Sequence, residues 1–325
     1  SGDADYMNVV ADIVGADLLV PVHSGDGVSR VPSHRWDNQW YVESVALLIP
    51  SFSAFVSAYD VFDDDVFSLA RAEALLMDVQ QRSILEGVLA CRLGASRGPL
   101  LEDGLDAALD GVVASTGVYV AISAMQYQNE VLDRYWPNQT SPYIATGNTL
   151  SVAAGRVSYI FGLRGPCASM DTACSSSIVA THFTMEGLRH RDCASAVIAG
   201  VISILGPGVS AIFFSSGMLS QSGRCKTLDA EADGYVRGEA RGVFVVDAAD
   251  SADASHATRA GVAIIGSSMN QDGRSSSLTA PHGPSQSVSL RLALRAARVR
   301  GTDVDKLQMH GTGTPLGDPI EVGAT

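Results

Sequence analysis

The run from Gly111 to Ile122 holds no charged residue and is rich in β-branched and small side chains. A sheet with one wet face alternates polar and apolar residues, so an unbroken run reads as a central strand covered on both faces. That one stretch demands layers on either side of a sheet. Helical spacing supplies them. In Leu69–Leu93 the residues Leu75, Leu76, Val79, Ile84, Leu85 and Leu89 share one helical pattern. Leu150–Phe161 also reads as helix, and Ser285–Val299 carries Val288, Leu292 and Ala296 on one stripe. Strands are predicted at Ala196–Ile202, Val243–Asp247, Val262–Gly266 and Lys306–His310, with a strand and turn in Val9–Val22. Strands alternate with helices and no internal repeat is visible, which points to an α/β fold with largely buried sheets. The segment after Asp247, rich in Ala, Asp and Ser, is the best domain seam.

Composition narrows the function classes. The chain has 325 residues, 46% of them hydrophobic, enough for a substantial core. Its net charge is −13 and it has no long basic run, which argues against nucleic acid or an anionic membrane as partner. Five cysteines show no C-x-x-C pair, so a reducing, intracellular setting is expected. Asp3, Asp5, Asp12 and Asp17 precede the first basic residue, Arg30, which is the wrong charge for a secretory or transit peptide. The longest uncharged run, Cys193–Gly223, is broken by Gly200, Gly206, Pro207 and Gly208. It reads as a buried strand followed by a buried loop rather than a membrane helix. Asp318-Pro319 looks like a helix N-cap followed by proline at the first helical position. Only about two turns then remain before Thr325, so the chain is expected to be a fragment.

The chemistry centres on Asp171-Thr172-Ala173-Cys174-Ser175-Ser176-Ser177. An apolar run from Cys167 leads in as a buried strand, and a helix follows to about Arg189 with Ile178, Val179, Phe183 and Leu188. Its first turns are small or apolar nearly all round, as in a core helix. A cysteine at a strand-to-helix turn meets the positive end of the helix dipole, which lowers a thiol pKa. Nearby N–H groups can receive the oxygen of a tetrahedral intermediate. The serines are small enough for the turn and can bond to its backbone. A single cysteine is more often a buried structural residue, so a partner matters. His310-Gly311-Thr312-Gly313-Thr314-Pro315 offers one: an imidazole beside two hydroxyls, with glycines that allow close approach. Alone it is more often a glycine-rich turn with a hydrogen-bonded histidine. Cysteine paired with histidine suits acyl transfer through a thioester.

Other motifs carry less. Asp229–Gly234 starts like a calcium loop, but Arg237 and Ala240 stand at its ninth and twelfth positions. Gly311–Gly317 lacks dinucleotide spacing. Asn138-Gln139-Thr140 is a glycosylation triplet of the kind that arises by chance. His182 and His190 fit core and surface positions better than metal ligation, and no metal is expected.

Taken in order, several segments resemble the β-ketoacyl synthases of type I polyketide synthases. Asp171–Ser177 is similar to that family's nucleophile motif, and His310–Glu321 to its first histidine motif. Gly223–Asp229, Asp233–Glu239, Asn270–Arg274 and Leu278–Pro281 resemble family segments between them. Met77–Arg82 is similar to an M-D-P-Q-Q-R run, and Val31–Asp37 to an entry loop. Val79 stands in place of the expected proline, and Ala240 in place of a usual glycine. Residues 1–25 lack the family's opening strand and stay unassigned.

The resemblance implies a thiolase-like fold of two related α/β halves whose sheets sandwich buried helices. Residues 26–258 would form the first half, and 259–325 the start of an incomplete second half. It implies that Cys174 takes an acyl group from a thioester. A malonyl thioester on acyl carrier protein then loses carbon dioxide and its enolate attacks the acyl-cysteine. His310 would donate hydrogen bonds to the malonyl carbonyl, and Thr312 and Thr314 would contact the 4′-phosphopantetheine arm. Glu321 would serve as structural partner to a lysine beyond Thr325, where the family also carries a second catalytic histidine. No directly bound cofactor is implied, and members are usually homodimers. The alternatives are a non-catalytic scaffold protein or inactive fragment, and a Cys–His hydrolase of another fold.

Overall fold

The computed structural model describes residues 9–21, 25–44, 49–57, 59–94, 116–135, 140–250 and 262–325. Residues 111–115 of the predicted central strand, 138–139 of the glycosylation triplet and most of the seam after Asp247 lie outside them. The strands are β1 (Val9–Leu19), β2 (Val28–Arg30), β3 (Phe52–Ala54), β4 (Thr116–Ile122), β5 (Cys167–Met170), β6 (Ser195–Ile202), β7 (Ala240–Asp250) and β8 (Ala263–Ile264). The first five helices are α1 (Asn38–Ser44), α2 (Arg71–Leu76), α3 (Val79–Gly94), α4 (Tyr127–Tyr135) and α5 (Pro142–Gly147). Then come α6 (Leu150–Phe161), α7 (Ser176–Arg189), α8 (Pro207–Ser215), α9 (Gly283–Ala297) and α10 (Gly317–Ala324). These elements form two compact units, each discontinuous in sequence.

The first unit takes the chain up to Leu19, Ser57–Ser203 and Ala240–Ile265. Its six-stranded sheet runs β5-β4-β6-β7-β1-β8. β4 is parallel to β5 and β6, and the remaining pairings are antiparallel. Every residue of β4 is buried, as its composition demands. Alternation along the strands sorts the core into two layers. Val118, Val120 and Ile122 join Val197, Ala199 and Val201 beneath α3 and α6. Tyr119 and Ala121 join Ala196 and Ile198 beneath α7. Each fully buried aliphatic side chain contributes roughly 1.5–3 kcal/mol. α3 approaches β7 closely at Gly87, where a Cβ would lie 2.6 Å from a Val243 methyl.

The predicted helix Leu69–Leu93 is two helices. Met77 is extended, with φ −84° and ψ 134°, and the Asp78 side chain accepts from the Gln80 N–H at 2.8 Å. That aspartate caps α3, which makes Val79 its first residue, the position where proline is at ease. Burial holds the Asp78 carboxyl above its ordinary pKa. Val262–Gly266 shrinks to β8, an edge strand against β1. β5 is also an edge strand and Cys167 is exposed, so the strand leading to the cysteine is not buried as predicted.

The second unit takes Val20–Val56, Ile204–Glu239 and Gly266–Thr325. It holds the antiparallel β2–β3 pair, α1 and α8–α10. The loop predicted after Ile202 contains α8, which opens with Gly206 as N-cap and proline in its first turn. α9 forms as predicted but buries no residue, and Val288 and Leu292 are exposed. Its described support is mainly α10, for example Ser287 Oγ donating to the Ala324 carbonyl at 2.7 Å. Lys306–His310 is no strand: among the described residues no neighbour offers it a ladder, and most of it is exposed. Among the described residues no helix is long and apolar enough to cross a membrane.

The unit is pinned by one buried ion pair. Arg35 and Glu239 form two hydrogen bonds of 2.8 Å, with side chains 1% and 0% exposed. The same carboxylate accepts from the N–H groups of Val56 and Ile204, at 2.9 and 2.8 Å. With its lone pairs filled, the charge is compensated in the interior.

Candidate functional site

Cys174 stands in the first unit, between β5 and α7, and is exposed. The turn that presents it is built from its own neighbours. Asp171 Oδ1 accepts from the Ala173 N–H at 2.8 Å. Ser176 Oγ accepts from the Thr172 N–H at 2.7 Å and donates to the Ala173 carbonyl at 2.6 Å. Ser175 Oγ donates back to the Thr172 carbonyl at 2.8 Å. Ala173 takes a left-handed φ of 57°, unusual for a residue with a Cβ, and this bend turns the chain into α7. Ser175 is the N-cap but makes no side-chain cap bond, because its hydroxyl is turned back into the turn. Two other cysteines are unsuited to attack: burial pushes Cys91 up to about 11 and raises Cys193 as well.

α7 departs from expectation. One face is buried through Val179, Ala180, Thr184, Met185 and Leu188. On the other, Ile178 is 67% and Phe183 45% exposed. Among the described residues the sheet covers one side of α7, where the sequence suggests cover nearly all round.

His310, Thr312, Thr314 and Glu321 stand in the second unit, and the structure brings these four together. His310 is exposed at the start of the loop. Glu321 Oε1 accepts from the His310 N–H at 2.6 Å, and Oε2 from the Gly311 N–H at 3.0 Å. Glu321 thus holds the backbone at the start of the histidine loop. The hydroxyls of Thr312 and Thr314 lie 3.2 Å apart. Gly311 and Gly313 have φ of 53° and 70°. At Gly313 a Cβ would also lie 2.7 Å from the Lys226 backbone nitrogen, so both spacing and conformation require glycine.

Three further residues hold this loop; all lie in segments that resemble family motifs, but the sequence tied none of them to the loop. Thr227 Oγ1 donates to the Gly311 carbonyl at 2.5 Å. The Gly234 N–H donates to the Gly313 carbonyl at 3.0 Å. Asp318, predicted as an N-cap, lies inside α10 instead, because that helix opens at Gly317. Its carboxylate accepts from Leu228 N–H at 2.9 Å and Gly313 N–H at 3.1 Å. The sequence signal was their place within those ordered segments. In the calcium-like loop, Lys226 Nζ sits 3.2 Å from Asp233 and 3.2 Å from the Glu231 carbonyl, so a lysine occupies the acidic loop. Among the described residues no group of His, Cys, Asp and Glu could hold a metal ion. His190 is exposed beside Glu186, and His182 is half-buried beside Phe183.

A mixed sheet flanked by helices, with an exposed cysteine at a strand-to-helix turn, defines a thiolase-like α/β protein. Residues 21–252 match the β-ketoacyl synthase N-terminal domain and residues 262–325 its C-terminal domain. The chain belongs to the β-ketoacyl synthase family. It is 40% identical over 312 residues to a phenolphthiocerol/phthiocerol polyketide synthase of Mycobacterium tuberculosis, covering 94% of this chain and 14% of that protein. It is 38% identical over 301 residues to erythronolide synthase EryA3 of Saccharopolyspora erythraea, covering 92% of this chain and 9% of that protein. Among solved structures it is similar to the ketosynthase from module 6 of the bacillaene synthase of Bacillus subtilis 168. That likeness has a TM-score of 0.81 at 30% identity, over 97% of this chain and 53% of that one. An oxazolomycin ketosynthase domain from Streptomyces albus JA3453 gives a TM-score of 0.82 at 29% identity, over 98% and 55%. The chain therefore spans about half the length of these ketosynthase structures and a small part of the curated synthases.

Proposed function

We propose that this chain is the condensing, ketosynthase part of a polyketide synthase, with Cys174 as the acyl acceptor. The observation that carries the reading is the exposed Cys174 at the head of α7, on a turn whose side chains are spent on the turn itself. The Cys174 thiolate attacks the carbonyl carbon of an acyl thioester. The oxyanion collapses, the C–S bond of the donor breaks, and the donor thiol leaves with a proton. A malonyl thioester then loses carbon dioxide, and its enolate carbon attacks the acyl-cysteine carbonyl, freeing Sγ. His310 donates a hydrogen bond to the malonyl carbonyl, and Thr312 and Thr314 hold the 4′-phosphopantetheine arm of an acyl carrier protein. Glu321 fixes the backbone from which His310 projects. In this proposal residues 26–258 correspond to the first thiolase-like half and 259–325 to the start of the second, in a homodimer working inside the cell. Polyketide rather than fatty acid synthesis is favoured because the curated relatives are polyketide synthases.

The test is acyl loading. The protein is incubated with an acyl-pantetheine thioester and read by intact mass and peptide mapping. One acyl group on Cys174, absent in Cys174→Ala, is the expected result. Steady release of free acid marks a hydrolase, and no adduct marks a scaffold; either rejects the proposal. Alkylation of Cys174 should be half-maximal below pH 8.5, the ordinary thiol value.

A further inference from the structure

We propose that Asp318 is a positioning residue for the pantetheine arm, acting through the Thr312–Thr314 pair; the inference rests on the reading just given for those threonines. Three separate stretches of sequence converge on this carboxylate: the Lys226–Leu228 segment, the Gly311–Gly313 loop and α10. Asp318 is 3% exposed, and each of its oxygens takes a backbone N–H from a different stretch. Leu228, one of those donors, holds a left-handed φ of 59°, a conformation a leucine keeps only when its surroundings impose it. Gly313, the other donor, passes so close to the Lys226 backbone that a Cβ would not fit.

Glu321 lies three positions after Asp318, on the same side of α10, and grips the other end of the loop at His310 and Gly311. One helix therefore holds both ends of the histidine loop. Between the two grips stands Thr312, and Thr314 follows directly. The Thr314 hydroxyl also accepts from the Gly317 N–H at 3.2 Å, so its position depends on where α10 begins. Asp318 thereby sets where the two hydroxyls sit relative to Lys226–Leu228. An arm made of amides and methylenes needs such fixed hydroxyls, since each hydrogen bond is lost if its partner drifts.

Asp318→Asn tests this with little change in size. Facing two N–H donors, the amide offers one accepting oxygen and one opposing NH2, so one tie is lost. Binding of unacylated pantetheine is measured by calorimetry for the wild type, Asp318→Asn, Thr314→Val and the double variant. Iodoacetamide labelling of Cys174 is followed in the same preparations. Asp318→Asn should weaken binding about tenfold, the worth of one buried hydrogen bond. Labelling should change less than twofold. Thr314→Val should cost little more once Asp318 is changed, because both act on one contact.

Unchanged affinity in Asp318→Asn, full additivity of the two variants, or a parallel fall in labelling overturns the inference. So does a wild-type protein that does not bind pantetheine. If the wild type binds pantetheine but never forms acyl-cysteine, the condensing function fails while the positioning role stands.

Discussion

The cysteine turn and the histidine loop are built on opposite principles. Every bond described in the turn spans four residues or fewer, among Asp171, Thr172, Ala173, Ser175 and Ser176. The loop is held from afar: Thr227 reaches Gly311 across 84 positions, and Leu228 reaches Asp318 across 90. The turn also grows out of a sheet strand, whereas the loop joins no sheet among the described residues. A locally closed turn tolerates damage elsewhere. A loop tied to distant segments transmits it.

The largest test of that contrast is Glu239→Ala. It leaves the Arg35 guanidinium buried without its carboxylate and deprives the Val56 and Ile204 N–H groups of their acceptor. A loss of about 3–5 kcal/mol is expected in denaturant titration. Hydrogen exchange should rise in Val20–Val56, Ile204–Glu239 and Gly266–Thr325, while β4 and α7 keep their protection. Equal loss of protection in β4 would break the comparison.

Gly313→Ala comes next. The left-handed φ alone costs about 1–2 kcal/mol, and the close Lys226 backbone adds to it. Thermal melting should show the loss, and pantetheine binding should fall with it, whereas the Cys174 labelling rate should hold. Ser176→Ala is the matching cut in the turn. It removes two hydrogen bonds from a buried hydroxyl, worth about 1–3 kcal/mol. Here the Cys174 labelling rate should change and pantetheine affinity should not. A variant that moved both readouts equally would show the two regions to be one cooperative structure.

The smallest effect is expected at Ala173→Gly. Relief of the positive φ gains about 1–2 kcal/mol, and the greater freedom of glycine when unfolded takes back roughly 0.5–1 kcal/mol. The net shift should be a slight rise in melting temperature with labelling of Cys174 intact. A marked fall would mean that the alanine methyl group has a packing role.

Legibility in the sequence follows the same division. α6, α7 and β6 fall where periodicity places them, because burial against a sheet imposes a repeat on neighbouring residues. The break at Asp78 is hidden in the sequence, since the apolar pattern continues across the cap. The burial of β5 and the covering of α7 are less than the sequence suggests. Small apolar residues look the same on an edge strand, or on a helix with one covered face, as they do in a core.

The sequence by itself determined the family, the alternation of strands and helices, the seat of Cys174 and the glycine loop around His310. These depend on neighbours along the chain or on motifs in fixed order. Only the tertiary structure decided that Arg35 pairs with Glu239, that Asp318 leaves the N-cap position to join two loops, and that Glu321 grips the backbone of His310. Each is a choice among many carboxylates and donors of the same chemistry. A carboxylate's type says that it will accept hydrogen bonds when buried, and the fold alone says from which distant residue they come.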